Sequence, residues 1–295
     1  MKRIPLVTLF CFLVFTALSQ SAGVIISSET LEPIPFANIS KKGSSFGTTS
    51  NENGKFNVCE QLKGAVVIVS AIGFEQQQFT ISDKQDTIYL TPKQYELKEV
   101  VVRPTGERKE VIVNPISRKR TNYTLFSNGY AWIVAKHFSC KPEYNATPYI
   151  KEIRVSTQSK IKDAKFNVRL LSVNHKGEPS DEVFGKNIIA SAKKGKKNTT
   201  INFEMDTVAF PEDGLFVALE WLIVEANAHA YSYTVKGSKK KHKGIMYQPH
   251  FSVFKKEGES PTWIYYGANW HQTGLTPNAN EYLDLLIELT LTNQP

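Results

Sequence analysis

Between Gly23 and Leu90, short apolar runs alternate with Gly, Pro, Asn and Ser. Val24-Ile25-Ile26, Val66–Val69, Phe79-Thr80-Ile81 and Ile88-Tyr89-Leu90 are the runs, and the interruptions recur about every eight to twelve residues. That rhythm belongs to a small antiparallel sandwich, whose strands are brief and whose turns are tight. Asn53-Gly54 is the sharpest local signal. Glycine takes a positive φ without steric cost and asparagine tolerates it, so the pair predicts a hairpin between Gly47–Ser50 and Lys55–Val58.

The ordered set Gly23, Pro33–Pro35 with Ala37 and Asn38, Gly43, Gly47-Thr48, Asn53-Gly54-Lys55-Phe56 and Ser70-Ala71-Ile72-Gly73-Phe74 resembles the carboxypeptidase-regulatory-like domain. The resemblance implies a seven-stranded transthyretin-like Greek-key sandwich over residues 22–91, a fold without catalytic chemistry of its own. Glu96–Val102 resembles the segment that follows this domain in TonB-dependent receptors of Bacteroidetes-type bacteria. The remainder of the chain is too short for a receptor's plug and barrel.

The chain opens Met1-Lys2-Arg3, runs apolar from Ile4 to Leu18 and turns to small residues at Ala17–Ala22. A basic start, a short greasy middle and small residues at the end make residues 1–21 a secretory signal peptide. Cys11 lies inside the greasy run without small residues before it, which argues against lipid attachment there. About 270 residues remain, enough for two modest domains. Losing Lys2 and Arg3 takes the formal charge from +8 to +6, a balance attractive to acidic envelope polymers. Cys59 and Cys140 fall in different parts of the chain and are expected as two isolated thiols.

From Thr91 to about Arg120 the chain is polar and charged and carries Pro92, Pro104, Gly106 and Pro115. Residues 92–121 therefore read as a linker, with Val100–Val102 and Val111–Val113 as short β-prone islands, one of which pairs with a neighbour. Beyond it, period-two patterns dominate. Ile153 and Val155 alternate with Arg154; Phe166, Val168 and Leu170 alternate with Asn167 and Arg169. Gly214–Glu225 is apolar on both faces, as a strand buried between layers would be. Leu283, Leu285, Ile287, Leu289 and Leu291 share one phase, which favours a strand over the helix that Glu281–Glu288 would also admit. About eight to ten strands without a long helix make residues 122–295 a larger, jelly-roll-like β-sandwich. Its order resembles the sandwich that follows the regulatory domain in short Bacteroidetes envelope proteins. The fold class is all-β.

Chemistry-bearing patterns are sparse. His175-Lys176-Gly177-Glu178 has the His-x-x-Glu spacing of a zinc pair, but Lys-Gly between two strands marks a hairpin turn, and His250 and His271 are candidates for the third ligand by residue type alone. There is no Gly-x-Ser-x-Gly, no phosphate-binding loop and no dinucleotide fingerprint. No catalytic residue, metal or cofactor is expected. The aromatic set around Trp263, Tyr265, Tyr266 and Trp270, with Trp132, Trp221, Tyr231, Tyr233 and His271, is the better lead, because sugar rings stack on Trp and Tyr. Trp263 and Tyr265 share one strand face, Ile264 and Tyr266 the other, and Trp221 reads as core. Trp263, Tyr265, Trp270 and His271 are the expected ligand-binding residues, the last two in a Gly/Asn/Thr/Pro-rich loop. Lys193–Lys197 and Lys236–Lys243 read as solvated loop tips, and Asp86-Thr87-Ile88 and Asp206-Thr207-Val208 as strand-edge threonines.

These features describe an exported, non-enzymatic binding or scaffold protein of the periplasm or outer-membrane surface. A glycan, another outer-membrane component or an envelope protein is the expected partner. Nucleic acid is not, and no transmembrane span is expected after signal cleavage. The alternative is a hydrolase, carbohydrate-active or zinc-peptidase-like, whose site is assembled from loops.

Overall fold

The computed structural model describes residues 22–82, 86–93, 106–117, 123–203, 205–273 and 281–294. The signal-peptide segment and Val100–Val102 lie outside them. The first seven strands are β1 (Ala22–Ser27), β2 (Asn38–Lys41), β3 (Gly47–Thr49), β4 (Lys55–Asn57), β5 (Val66–Ser70), β6 (Gln77–Thr80) and β7 (Thr87–Leu90). They form a three-stranded sheet, β4-β1-β7, and a four-stranded sheet, β3-β2-β5-β6. Alternation places the core: in β7, Ile88 and Leu90 are buried while Thr87 and Tyr89 face out. Ile25, Ile39, Val67, Val69 and Ile81 complete the apolar layer between the sheets.

Two details depart from the sequence reading. β1 and β7 pair in parallel, from Val24 with Thr87 to Ser27 with Leu90, because the chain crosses to the other sheet and back before its last strand returns beside its first. Asn53-Gly54 does make a tight turn, with Gly54 at φ +69°. It closes no hairpin, however: β3 pairs with β2 and β4 with β1, so the turn arches from one sheet to the other. Asn51 builds the arch, its side-chain Oδ1 accepting from the amides of Asn53 and Lys55 at 2.9 and 3.1 Å. The Gly54 carbonyl accepts from Ile25 N at 2.9 Å. A Cβ at Gly54 would lie 2.6 Å from the Ile25 carbonyl oxygen. Gly54→Val is therefore expected to cost at least ~2 kcal/mol, measured as a shift in the urea midpoint, whereas Gly64→Val, at a similar φ with no neighbour within 4 Å, costs less.

The rest of the described chain continues as β8 (Glu110–Val113), β9 (Tyr123–Ser127), β10 (Ile133–Phe138), β11 (Tyr149–Ser159), β12 (Ala164–Val173), β13 (Pro179–Glu182), β14 (Ile188–Ala192) and β15 (Gly195–Asn202). There follow β16 (Leu215–Trp221), β17 (Ala228–Thr234), β18 (Lys241–Glu257), β19 (Thr262–Tyr266), β20 (Asn269–Gln272), β21 (Glu281–Leu285) and β22 (Ile287–Thr292). A seven-stranded sheet runs β13-β12-β16-β10-β19-β20 with β14 on β12. An eight-stranded sheet runs β17-β18-β11-β22-β8, with β15 on β11 and with β9 and β21 on β18. Phe166, Leu170, Val217 and Trp221 from the first meet Ile153, Phe251, Leu285 and Leu289 from the second. Trp221 is fully buried, packs on Phe251 at 4.6 Å and donates from Nε1 to the Pro249 carbonyl at 2.8 Å.

Strands outnumber the eight to ten expected. Short polar strands such as Pro179–Glu182 and Asn269–Gln272 carry no alternation for a sequence reader to see. The last apolar run is extended rather than helical, as its phase implied, but it is two strands and not one. It breaks at Leu286, so that β21 pairs with β18 and β22 with β11 and β8. β8, from within the predicted linker, thus serves as an edge strand of the larger sandwich. His175–Glu178 form the turn between β12 and β13, with Gly177 at φ +79° and the Asn174 side chain accepting from Lys176 and Glu178 amides. Cys59 and Cys140 are free thiols.

On the outer side of the eight-stranded sheet, burial, aided by Lys160 and His229 nearby, lowers the His250 pKa from 6.5 to about 4. Gln248 fixes the neutral ring: its Oε1 accepts from Lys160 N at 3.0 Å, which turns its Nε2 toward His250 Nε2 at 3.1 Å. Below pH 6.5 the unfolded chain takes up a proton that the folded one refuses until about pH 4. Stability therefore falls as pH drops through that window. His250→Gln is expected to flatten this part of the pH profile, read from urea midpoints at both ends of the window.

Candidate functional site

The face of the seven-stranded sheet turned away from the main core carries a second, smaller side-chain layer. Cross-strand register builds it row by row. Arg169, Ala218, Ala135, Trp263 and Gln272 are lateral neighbours, and so are Asn167, Glu220, Ile133, Tyr265 and Trp270. The strict period of two sends β16 residues Leu215, Val217, Leu219 and Trp221 inward and Phe216, Ala218 and Glu220 onto this face. Ile133, Ala135, Leu171, Phe216 and Ala218 form its buried floor, and Val173, Trp263, Tyr265 and Trp270 pack on that floor half-buried. Tyr265 and Trp270 rings lie 5.2 Å apart at 57°, and Phe216 meets Trp263 edge-on at 6.2 Å. Burial raises the Tyr265 pKa, so the phenol stays protonated and able to donate.

The other half of the face is charged. Arg169 Nε donates to Glu182 Oε1 at 2.6 Å, and its Nη1 lies 3.8 Å from Glu220 Oε2. Burial opposes the guanidinium charge, but Glu182 and Glu220 more than offset it and hold Arg169 protonated above the usual arginine range. Burial pushes the Glu182 carboxyl up, against the pull of Arg169. Its Oε2 is buried without a hydrogen-bond partner among the described residues.

Glu220, 2% exposed, is also where the small sandwich docks. Asn38 of β2 donates to Glu220 Oε1 at 2.8 Å and to the Ala131 carbonyl at 3.3 Å, and Asn167 donates to Glu220 Oε2 at 3.2 Å. Thr49 Oγ1 accepts from Ile223 N at 2.9 Å, and Phe46 bridges to Tyr130 with the rings edge-on at 5.4 Å. Gly47 admits the close approach: a Cβ there would fall 2.7 Å from Ala131 Cβ. Beside this junction lies a cleft of ≈ 290 Å³ between the two sandwiches, lined by Ser70, Phe74, Lys93, Arg169, Asp181 and Glu182 among others. Lys93 and Asp181 pair across it at 2.6 Å.

Of the residues singled out in the sequence, Trp263, Tyr265 and Trp270 come together on this face. His271 faces the other way, stacked on Tyr266 at 4.2 Å, because it follows Trp270 in a strand and not in a loop. Trp221 is core, as expected. Trp132 stacks on Tyr130 at 4.9 Å near the junction. Sequence reading missed the Arg169–Glu182–Glu220 cluster and Asn38. Alternation put Asn167 and Arg169 opposite Val168, but nothing local says that a second layer will cover the polar side. No group of three or more His, Cys, Asp or Glu side chains able to hold a metal occurs among the described residues. No described helix is long and apolar enough to cross a membrane.

Residues 21–102 match the CarboxypepD_reg-like domain. The described chain is thus all-β, and this stretch of it is similar to a carboxypeptidase-regulatory-like domain. Over 98 residues it is 34% identical to a TonB-dependent receptor of Formosa agariphila, which amounts to 33% of this chain and 9% of the receptor's length. Among solved structures, the cysteine protease and lectin-like domains of a surface layer associated protein of Clostridium difficile share 13% identity. That alignment covers 82% of this chain and 47% of the other at a TM-score of 0.36. A structure of infectious bursal disease virus, Gx strain, shares 8% identity over 87% and 58% of the two chains at a TM-score of 0.22. Both structural likenesses are too slight to carry an inference.

Proposed function

We propose that this is a non-catalytic envelope protein, exported by residues 1–21, in which a regulatory-like sandwich (22–91) and a connector (92–121) hold a larger sandwich (122–295) that binds glycan. Trp263, Tyr265 and Trp270 form its binding surface in the periplasm or at the outer membrane. The observation that carries this reading is the half-buried state of these three rings. A floor of buried apolar side chains fixes them while part of each remains open, which is what stacking against the apolar face of a sugar requires. Arg169, the phenol of Tyr265 and the cleft beside Glu182 offer polar partners for hydroxyls on the same side of the sheet. The match to a regulatory-like domain and the partial likeness to a TonB-dependent receptor support the envelope setting.

A glycan array probed with the wild-type protein and with Trp270→Ala tests the reading. Wild type is expected to retain a small set of neutral glycans, and the variant to bind them about ten-fold more weakly, the loss of roughly 1.4 kcal/mol of ring stacking. Identical profiles, or no retained glycan, would retire it.

A further inference from the structure

The two lysine-rich segments, far apart in the chain, converge on the outer face of the eight-stranded sheet. β11 lies between β15 and β18, so Gln158 has Lys196 as its neighbour on one side and His250 on the other. Side chains paired laterally in this way share a face of the sheet. His250 lies against the exposed ring of Phe126 at 5.3 Å and close to Lys160 and His229. From His229 the same face continues along the β17–β18 ribbon. Tyr231 lies over Gly244, where a Cβ would meet its ring at 2.8 Å, and Tyr233 pairs with His242. The ribbon ends in a turn bearing exposed Lys236, Lys239 and Lys240, while exposed Lys193 and Lys194 stand at the opposite end beside β15. Both segments are thus more than loop tips: Lys196-Lys197 and Lys241–Lys243 lie within strands, with Lys196 and His242 on the face of this track and Lys197, Lys241 and Lys243 on the other.

The two lysine-rich segments themselves carry charge of one sign. No aspartate or glutamate occurs between 187 and 203 or between 226 and 256. The ribbon from His242 to His250 spans roughly 25 Å, and crossing β11 to β15 adds about 10 Å. A long, narrow surface of this kind fits a linear polyanion better than a membrane plane. The turn at 235–240 offers a bilayer only Val235 among Lys, Gly and Ser.

Ring orientation selects the kind of polyanion. Tyr231 and Tyr233 are 29° from parallel with centroids 5.7 Å apart, and Tyr233 and His242 are 26° from parallel at 5.4 Å. Rings stacked on one another in this way offer nucleobases less open face than isolated rings would. What an edge-on phenol or imidazole offers is O–H and N–H donors, suited to the oxygens of carboxylate or sulfate. We propose that this track, from Lys193 and Lys194 through His250, Tyr231 and Tyr233 to Lys239 and Lys240, binds a linear acidic polysaccharide. It is distinct from the Trp263–Tyr265–Trp270 face, which lies on the other sheet.

Fluorescence anisotropy with a fluorescein-labelled oligogalacturonate tests the proposal, with a neutral dextran oligomer, a single-stranded DNA of equal charge and phosphatidylserine vesicles as comparators. At about 0.01 M salt, where screening reaches only beyond about 30 Å, the wild-type protein is expected to bind the uronate and not the dextran. Affinity should fall steeply as salt rises. Lys239→Ser/Lys240→Ser and Lys193→Ser/Lys194→Ser should each weaken binding about ten-fold and flatten the salt dependence, with the arginine versions restoring it. Tyr233→Phe, which keeps the ring and removes the donor, should weaken it about three-fold, roughly the value of one hydrogen bond. Trp270→Ala should leave it unchanged, so this proposal and the glycan-binding face fail independently. Absence of uronate binding, indifference to both lysine pairs, or equal or tighter binding of DNA or vesicles would overturn it.

Discussion

Asp284→Ala is expected to destabilise the protein by about 3–5 kcal/mol, because it strands a buried ammonium. Lys136 enters from β10 and Asp284 from β21, so their 2.6 Å ion pair joins the two sheets of the larger sandwich. The Lys136 side chain is 5% exposed and that of Asp284 is 0% exposed. Lys136 also donates to the Leu285 carbonyl at 2.9 Å, and Lys256 reaches Asp284 Oδ2 at 2.8 Å from the rim. Burial lowers the Lys136 pKa, with Asp284 opposing the fall. Without the carboxylate, that cost of burial is left uncompensated. Thermal unfolding should shift downward by roughly 10 °C. Lys136→Met/Asp284→Leu should recover most of the loss, since an apolar pair removes both charges together. An alanine variant as stable as wild type would mean that Lys136 finds water or another partner without moving the sheets.

Glu220→Gln carries the second large effect, and it falls on the joint between the sandwiches. Glu220 receives only donors: Asn38 Nδ2 at 2.8 Å, Asn167 Nδ2 at 3.2 Å, and the Arg169 guanidinium at 3.8 Å. Glutamine offers one acceptor oxygen and an NH₂ group that must face another donor. A cost of about 3 kcal/mol is expected, as for other buried charged networks that lose one member. The loss should be directional. Amide exchange should accelerate across Asn38–Lys41 and around the Lys93–Asp181 contact, while β11, β16 and β22 keep their protection. Uniform acceleration would assign Glu220 to the core of the larger sandwich alone, and unchanged protection would remove it from the joint.

Much of the fold was legible because two-residue alternation is a local property. The phase Leu283, Leu285, Ile287, Leu289, Leu291 identified extended chain, and the two-sided apolar run Gly214–Glu225 identified a buried strand, which the structure confines to Leu215–Trp221. The Asn53-Gly54 turn was visible too, but its partners were not. A turn residue reports its own φ and is silent about whether the strands it joins pair with each other. Trp263 and Tyr265 were placed on one face by the same periodicity. Trp270 joined them and His271 did not, because that division depends on a short polar strand with no pattern of its own.

What the amino-acid order settled is the strand class, the sign of the charge and which side chains share a strand face, since each follows from neighbours one or two residues away. Only tertiary structure decided that Asn38 meets Glu220 across 182 positions of chain, that Lys136 finds Asp284, and that two lysine segments border one aromatic ribbon. Those outcomes depend on which strands become neighbours. Burial of the whole apolar surface fixes that choice at once, and no single stretch of sequence encodes it.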